Sequence, residues 1–155
     1  MDLKAVHQFL QELDGKITEL GIETTYVKGG DSPQIGDTLR ILLPVTEEGH
    51  PVITEIMVSE FADDLDLLHL YSTVFPKCGG KLSELPQKLS EWNLLCPLGA
   101  FGIYEEEQQL FHKYTLPFPL EMEPDVLAEE AMLLIELIHS VLSQKYPELL
   151  PYAAE

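Results

Sequence analysis

Hydrophobic positions along this chain recur with two different periods, and the switches between them divide it into elements. Val6, Phe9, Leu10, Leu13, Ile17 and Leu20 come at spacings of three and four, so residues 3–20 are expected to form a helix with one apolar face. Asp2 suits its N-cap and Gly21 its stop, while Gly15 is a costly interior residue. From Ile22 the period falls to two. Residues 22–28 read as a strand, followed by the loop Gly29-Gly30-Asp31-Ser32-Pro33. No Gly-Lys-Ser/Thr follows that loop, so it is not a phosphate loop. Leu39, Ile41, Leu43 and Val45 alternate with Thr38, Arg40, Leu42 and Pro44. After the turn Glu47-Glu48-Gly49, Val52, Thr54, Ile56 and Val58 make the inward set of another strand. Past Asp63-Asp64, residues 65–75 are apolar on both faces, with Leu68, Leu70 and Val74 opposite Leu67, Tyr71 and Phe75. Such a strand belongs in the middle of a sheet or under cover on both sides.

The second half begins with a break at residues 76–81. A short helix then starts at Ser83-Glu84, carries Leu85, Leu89 and Trp92, and stops before Pro97. Residues 98–105 and 109–116 form a hairpin through Glu105-Glu106-Glu107, and Pro117-Phe118-Pro119 closes its second strand. Pro124 and Asp125 suit the first turn of a final helix that Pro147 should end. Its stripe Leu127, Ala131, Leu134, Ile138 and Val141 is widened by Met132, Leu133, Ile135 and Leu137. That is more apolar surface than a one-sided helix carries, so it should be buried on more than one side or meet a second subunit. The fold class expected is α+β: an antiparallel sheet with helices packed on it, in the order helix, strands, helix, hairpin, helix, as one domain over residues 1–155.

Two segments carry a family likeness. Trp92-Asn93-Leu94-Leu95-Cys96-Pro97-Leu98-Gly99-Ala100-Phe101-Gly102-Ile103-Tyr104 is a short helix ending near an Asn, then a strand of small and aromatic residues. The strand Leu110–Pro117 and the final helix closing at Tyr146-Pro147 complete the pattern. With the order of elements, this resembles the YbjN-like family and the fold of the class I type III secretion chaperones. The resemblance implies a small, acidic, often dimeric bacterial domain that binds other proteins and catalyses nothing. It supplies no catalytic residues.

Charge sharpens the picture. The 155 residues hold 27 acidic and 9 basic side chains, a net charge of −18 at pH 7. Such a field repels nucleic acid and anionic membrane and favours a basic partner or a plain solvated surface. At this length roughly two thirds of the unfolded surface is buried, so folding needs neither disulfide nor metal. Cys78 and Cys96 match no zinc or redox spacing and are expected to be reduced. The opening residues lack a basic, apolar leader, and residues 132–138 are too short to span a bilayer. The expected location is the cytoplasm.

No constellation commits the chain to catalysis. His7, His50, His69, His112 and His139 are scattered, and Asp63, Asp64 and Asp66 lack the Gly and closing Glu of a calcium loop. Ser59, Ser72 and Ser83 lack a Gly-x-Ser-x-Gly context. A Cys–His pair drawn from Cys78, Cys96, His69 and His112 needs a coincidence in space. No metal or cofactor is expected. The hairpin offers binding candidates instead. Phe101 and Tyr104 point to opposite faces of their strand, as do Phe111 and Tyr114, so one of each pair is core and the other can face a partner. Glu105, Glu106 and Glu107 are either a solvated tip or an acidic docking point. The reading is a non-enzymatic protein-binding domain, chaperone-like or adaptor, which can form a homodimer. Its rivals are an acidic inhibitor or immunity-type protein covering a basic surface, and a carboxylate-based hydrolase.

Overall fold

The computed structural model describes residues 1–29, 36–47, 50–80 and 82–154. Most of the loop read at 29–33, the centre of the turn at 47–49 and Lys81 lie outside the described residues. The chain runs α1 (Leu3–Glu19), β1 (Thr24–Val27), β2 (Thr38–Pro44), β3 (Pro51–Ala62), β4 (Leu65–Phe75), α2 (Leu85–Leu95), β5 (Ala100–Tyr104), β6 (Gln109–Pro117), α3 (Pro124–Leu149) and a short 3-10 turn at Leu150–Tyr152. The six strands form one sheet in the order β1-β2-β3-β4-β6-β5, antiparallel at every junction. The expected α+β architecture is therefore the observed one, and β4 lies inside the sheet, between β3 and β6.

Strand alternation sorts the sheet into two faces. Leu39, Ile41, Leu43, Val52, Ile56, Val58, Leu68, Leu70, Val74, Leu110 and Phe101 point inward and are buried. Against them lie Val6, Phe9, Leu10, Leu13 and Ile17 of α1 and Leu127, Ala128, Ala131, Ile135, Ile138 and Leu142 of α3. Asp2 caps α1 as expected, accepting from the Lys4 and Ala5 N–H groups at 2.9 and 3.2 Å. Phe9 packs on Phe118, with ring centroids 4.8 Å apart, and joins α1 to the chain beyond β6. Trp92 of α2 meets Phe101 edge-on and donates its indole N–H to Glu148 of α3 at 2.9 Å.

Four details depart from the periodicity. Alternation puts Phe75 beside Leu67 and Tyr71, yet it is buried on the core side against Tyr146. A register shift between Thr73 and Phe75 turns it over. Periodicity puts Leu134 in the buried stripe of α3, but it is only half-buried; Ile135 takes that place, and Leu133 and Leu137 are exposed. Leu20 was counted on the apolar face of α1, but it follows the helix end and is exposed. Pro147 does not end α3, which runs on to Leu149 with the proline inside its last turn. A proline there removes one backbone donor, and the Leu150 N–H still reaches the Tyr146 carbonyl.

The β5 edge is guarded. Asn93 donates its amide to the Phe101 carbonyl at 2.8 Å and accepts the Phe101 N–H at 2.7 Å, as a neighbouring strand would. Edge strands protected in this way resist pairing with other chains. Asn93→Ala should cost about 1–3 kcal/mol by leaving both groups unpaired, and should raise β-type aggregation, read by thioflavin fluorescence. Phe9→Ala, in a fully buried site, should cost about 3–5 kcal/mol, measured by urea unfolding.

Candidate functional site

Among the described residues, the helices cover one face of the sheet and the other is open. Three rows of side chains cross that open face. Arg40, Glu55, Tyr71, Lys113 and Ala100 form one row, and Leu42, Ile53, Thr73, Phe111 and Gly102 a second. Thr38, Met57, His69 and Thr115 form the third. At the β4–β6–β5 end the rings of Tyr71, Phe111 and Tyr104 make a continuous platform. Tyr71 stacks on Phe111 at 5.3 Å with 24° between planes, and Phe111 lies 4.7 Å from Tyr104 at 30°.

Gly102 makes that platform possible. A Cβ on it would sit 2.4 Å from Phe111 Cζ, so the ring lies flat across the strand only because nothing projects there. The Tyr71 hydroxyl donates to Gln109 Oε1 at 2.6 Å. Burial and the neighbouring Tyr104 raise its pKa, so it remains a neutral donor at physiological pH. Polar groups on this face are largely paired among themselves. Arg40 Nη2 meets Glu55 Oε1 at 2.8 Å. His69 lies between Ser59 Oγ at 2.7 Å and Thr115 Oγ1 at 3.0 Å, and burial and then the Lys113 charge lower its pKa. Arg40, Glu55 and Lys113 are the three formal charges whose register places them outward among the described strand residues.

The hairpin candidates divide as alternation requires. Phe101 is 4% exposed, faces the core and packs on Trp92 and His112. Tyr104 is 48% exposed on the open face. Phe111 lies on that face half-buried, whereas Tyr114 is half-buried on the core side. The structure thus joins Tyr104 and Phe111 and separates Phe101 and Tyr114 from them. Glu105, Glu106 and Glu107 are exposed at the hairpin tip beside Tyr104. Sequence pattern does not single out Tyr71 as a site residue. Its row-mates across β4 and β6 depend on strand order, which hydrophobic periodicity does not encode.

Two other polar clusters stand apart. His7, Tyr26 and Asp37 join α1, β1 and the approach to β2. The Tyr26 hydroxyl and His7 Nδ1, 2.7 Å apart, both bond the Asp37 carboxylate, whose other oxygen accepts the Gly29 N–H at 2.9 Å. Burial pushes the Asp37 carboxyl upward, but these donors outweigh it and lower its pKa. The cluster works as a clamp between elements. The second is a Cys–His approach. Cys96 Sγ lies 3.9 Å from His112 Nε2, but both donate to the Leu98 carbonyl, at 3.1 and 2.8 Å. With Nε2 protonated for its bond to Leu98, the ring turns no free lone pair toward the thiol. His112 is fully buried, its Nδ1 has no partner, and burial lowers its pKa. Both cysteines are free thiols. Among the described residues no three His, Cys, Asp or Glu side chains group as a metal site, and no helix is long and apolar enough to cross a membrane.

No family model and no curated protein matches the chain. Among solved structures it is similar to YbjN from E. coli, at 14% identity over 90% of this chain and 92% of that one, with a TM-score of 0.49. YbjN is the first of the two likenesses read from the sequence, and this match says nothing of the secretion chaperones. At this level it carries no argument about activity or partner.

His112 supplies a test of the buried sheet face. Its folded pKa lies below the ordinary 6.5, so the unfolded chain binds the proton more readily. Stability should therefore be fully present above pH 6.5 and fall as pH drops toward the folded pKa. Urea unfolding across pH should show this slope, flattened in His112→Gln.

Proposed function

We propose that this chain is a non-enzymatic protein-binding domain, chaperone-like or adaptor in its action, whose open sheet face takes a segment of a partner polypeptide. One observation carries the reading: a sheet face left bare by the helices holds a three-ring platform of Tyr71, Phe111 and Tyr104 beside an acidic tip. Large, rigid aromatic side chains gather much of the energy of protein interfaces. The partner's apolar side chains lie on the rings, and a Lys or Arg beyond them meets Glu105–Glu107, which also speeds encounter. The face rather than the β5 edge is the docking surface, because Asn93 already holds the Phe101 backbone. The Cys96–His112 geometry, with both groups donating to one carbonyl, favours binding over catalysis.

A second copy of the chain is the rival occupant, and one observation favours it. The outward strand positions carry two cations and one carboxylate, so two chains of net charge −18 can meet there without stacking acids. A homodimer through this face would tighten with salt as the remaining repulsion is screened.

Partner capture from the source cell by immobilised wild type and by Tyr104→Ser tests the reading. Tyr104 is exposed, so the variant should keep its melting temperature, while capture falls about tenfold if the ring is an anchor. Undiminished capture by the variant would sink the face as the site. Sedimentation equilibrium of both proteins across a salt series separates the occupants: a dimer that Tyr104→Ser dissolves would assign the face to a second copy.

A further inference from the structure

We propose a second, independent docking surface: the outward stripe of α3 receives a basic amphipathic helix of a partner protein. Val126, Leu133 and Leu137 recur at spacings of seven and four and are 41%, 58% and 47% exposed. They lie opposite the buried set Ala131, Ile135, Ile138 and Leu142, on the side of α3 that faces away from the sheet. Ser140 and Gln144 continue the line without charge. The alternation of three and four, with Glu130 as its one charged member, is the spacing of a helix-pairing seam.

Charge selects the occupant. No Lys or Arg occurs between Lys113 and Lys145, while Glu121, Glu123, Asp125, Glu129, Glu130 and Glu136 all fall in that stretch. Lys16 of α1 reaches in to Glu129 at 2.8 Å and answers only that carboxylate. A second copy of the stripe would set Glu130 and Glu136 against their own kind, and an anionic membrane would be repelled as well. A helix with leucines on one side and Lys or Arg at the flanks satisfies both the seam and its acidic border. At 26 residues, α3 spans roughly 39 Å, which accommodates about three heptads of a partner.

The experiment titrates the full chain with a labelled synthetic peptide of about three heptads, Leu at the seam and Lys at the flanking positions, read by fluorescence anisotropy. Binding is expected, weakening with added salt. It should fall about tenfold in Leu133→Ser/Leu137→Ser and in Glu130→Lys/Glu136→Lys, all at exposed sites, and should be unchanged in Tyr104→Ser. A scrambled peptide of the same composition, or one with Glu in place of Lys, should bind far less. Absence of binding at low salt, equal binding by the scrambled or Glu-bearing peptide, or equal binding by either double variant would each overturn the proposal. Loss in Tyr104→Ser alone would overturn it too, by moving the peptide to the sheet face, so this proposal and the sheet-face reading fail separately.

Discussion

Leu39, Ile41, Ile56, Leu68, Leu70 and Leu110, all on one side of the pleat, meet Phe9, Leu10, Leu13 and Ile17 of α1 and the Ala131–Ile135–Ile138 side of α3. This burial is the dominant favourable term in folding, and it fixes register. A one-residue slip of any strand would send its leucines to water and its Thr, Arg and Glu residues into the core. Once register is fixed, the contents of the opposite face are fixed as well. Tyr71, Phe111 and Tyr104 share the open face because Leu70, Leu110 and Phe101 are committed to the buried one.

One polar line crosses the buried face. Thr54, Ser72, His112 and Phe101 are successive cross-strand partners from β3 to β5. The Thr54 and Ser72 hydroxyls satisfy each other at 2.7 Å. His112 gives its Nε2 proton to Leu98, in the segment that leads from α2 into β5. The line ends at Phe101, whose backbone Asn93 clamps. Buried polar groups cost free energy unless paired, and these pairings fasten α2 and its connection against the β5 edge. The β5 edge is thereby blocked at Phe101, while the sheet face beside it stays open. Blocking the edge at Phe101 and exposing the face are two results of one arrangement.

Element existence was legible because each period is sustained. Six strands and three helices follow from spacings of two and of three to four. The antiparallel class followed from the alternation in β2–β4 and in the hairpin. The separation of Phe101 from Tyr104, and of Phe111 from Tyr114, was legible for the same reason. What periodicity omits is anything that depends on partners. The β4–β6 pairing that brings Tyr71 to Phe111 joins residues 40 positions apart, which no local pattern reports. Phe75 was misplaced because a bulge breaks the period. Leu134 was misplaced because neighbouring leucines at 133, 134 and 137 offer several apolar arcs, and only the position of the sheet and α1 selects among them. The His7–Tyr26–Asp37 clamp left no sequence signal, since its members come from three separate elements.

The charge is not spread evenly, and its placement decides how each surface can act. Outward strand positions are nearly free of acids, while the stretch from Glu121 to Glu136 carries six of them and no cation. Fields from exposed charges reach about 8–10 Å at physiological ionic strength, so a partner approaching α3 is drawn or repelled before contact. At the proposed sheet-face site the attraction would be short-ranged and would arise from desolvating rings once contact is made. Under the two proposals above, the helix layer would act by sign and the sheet face by shape. Glu105–Glu107 form an acidic tip on the rim of the aromatic platform. On the proposed reading, a partner drawn in by sign at the hairpin would arrive beside the surface that holds it by shape.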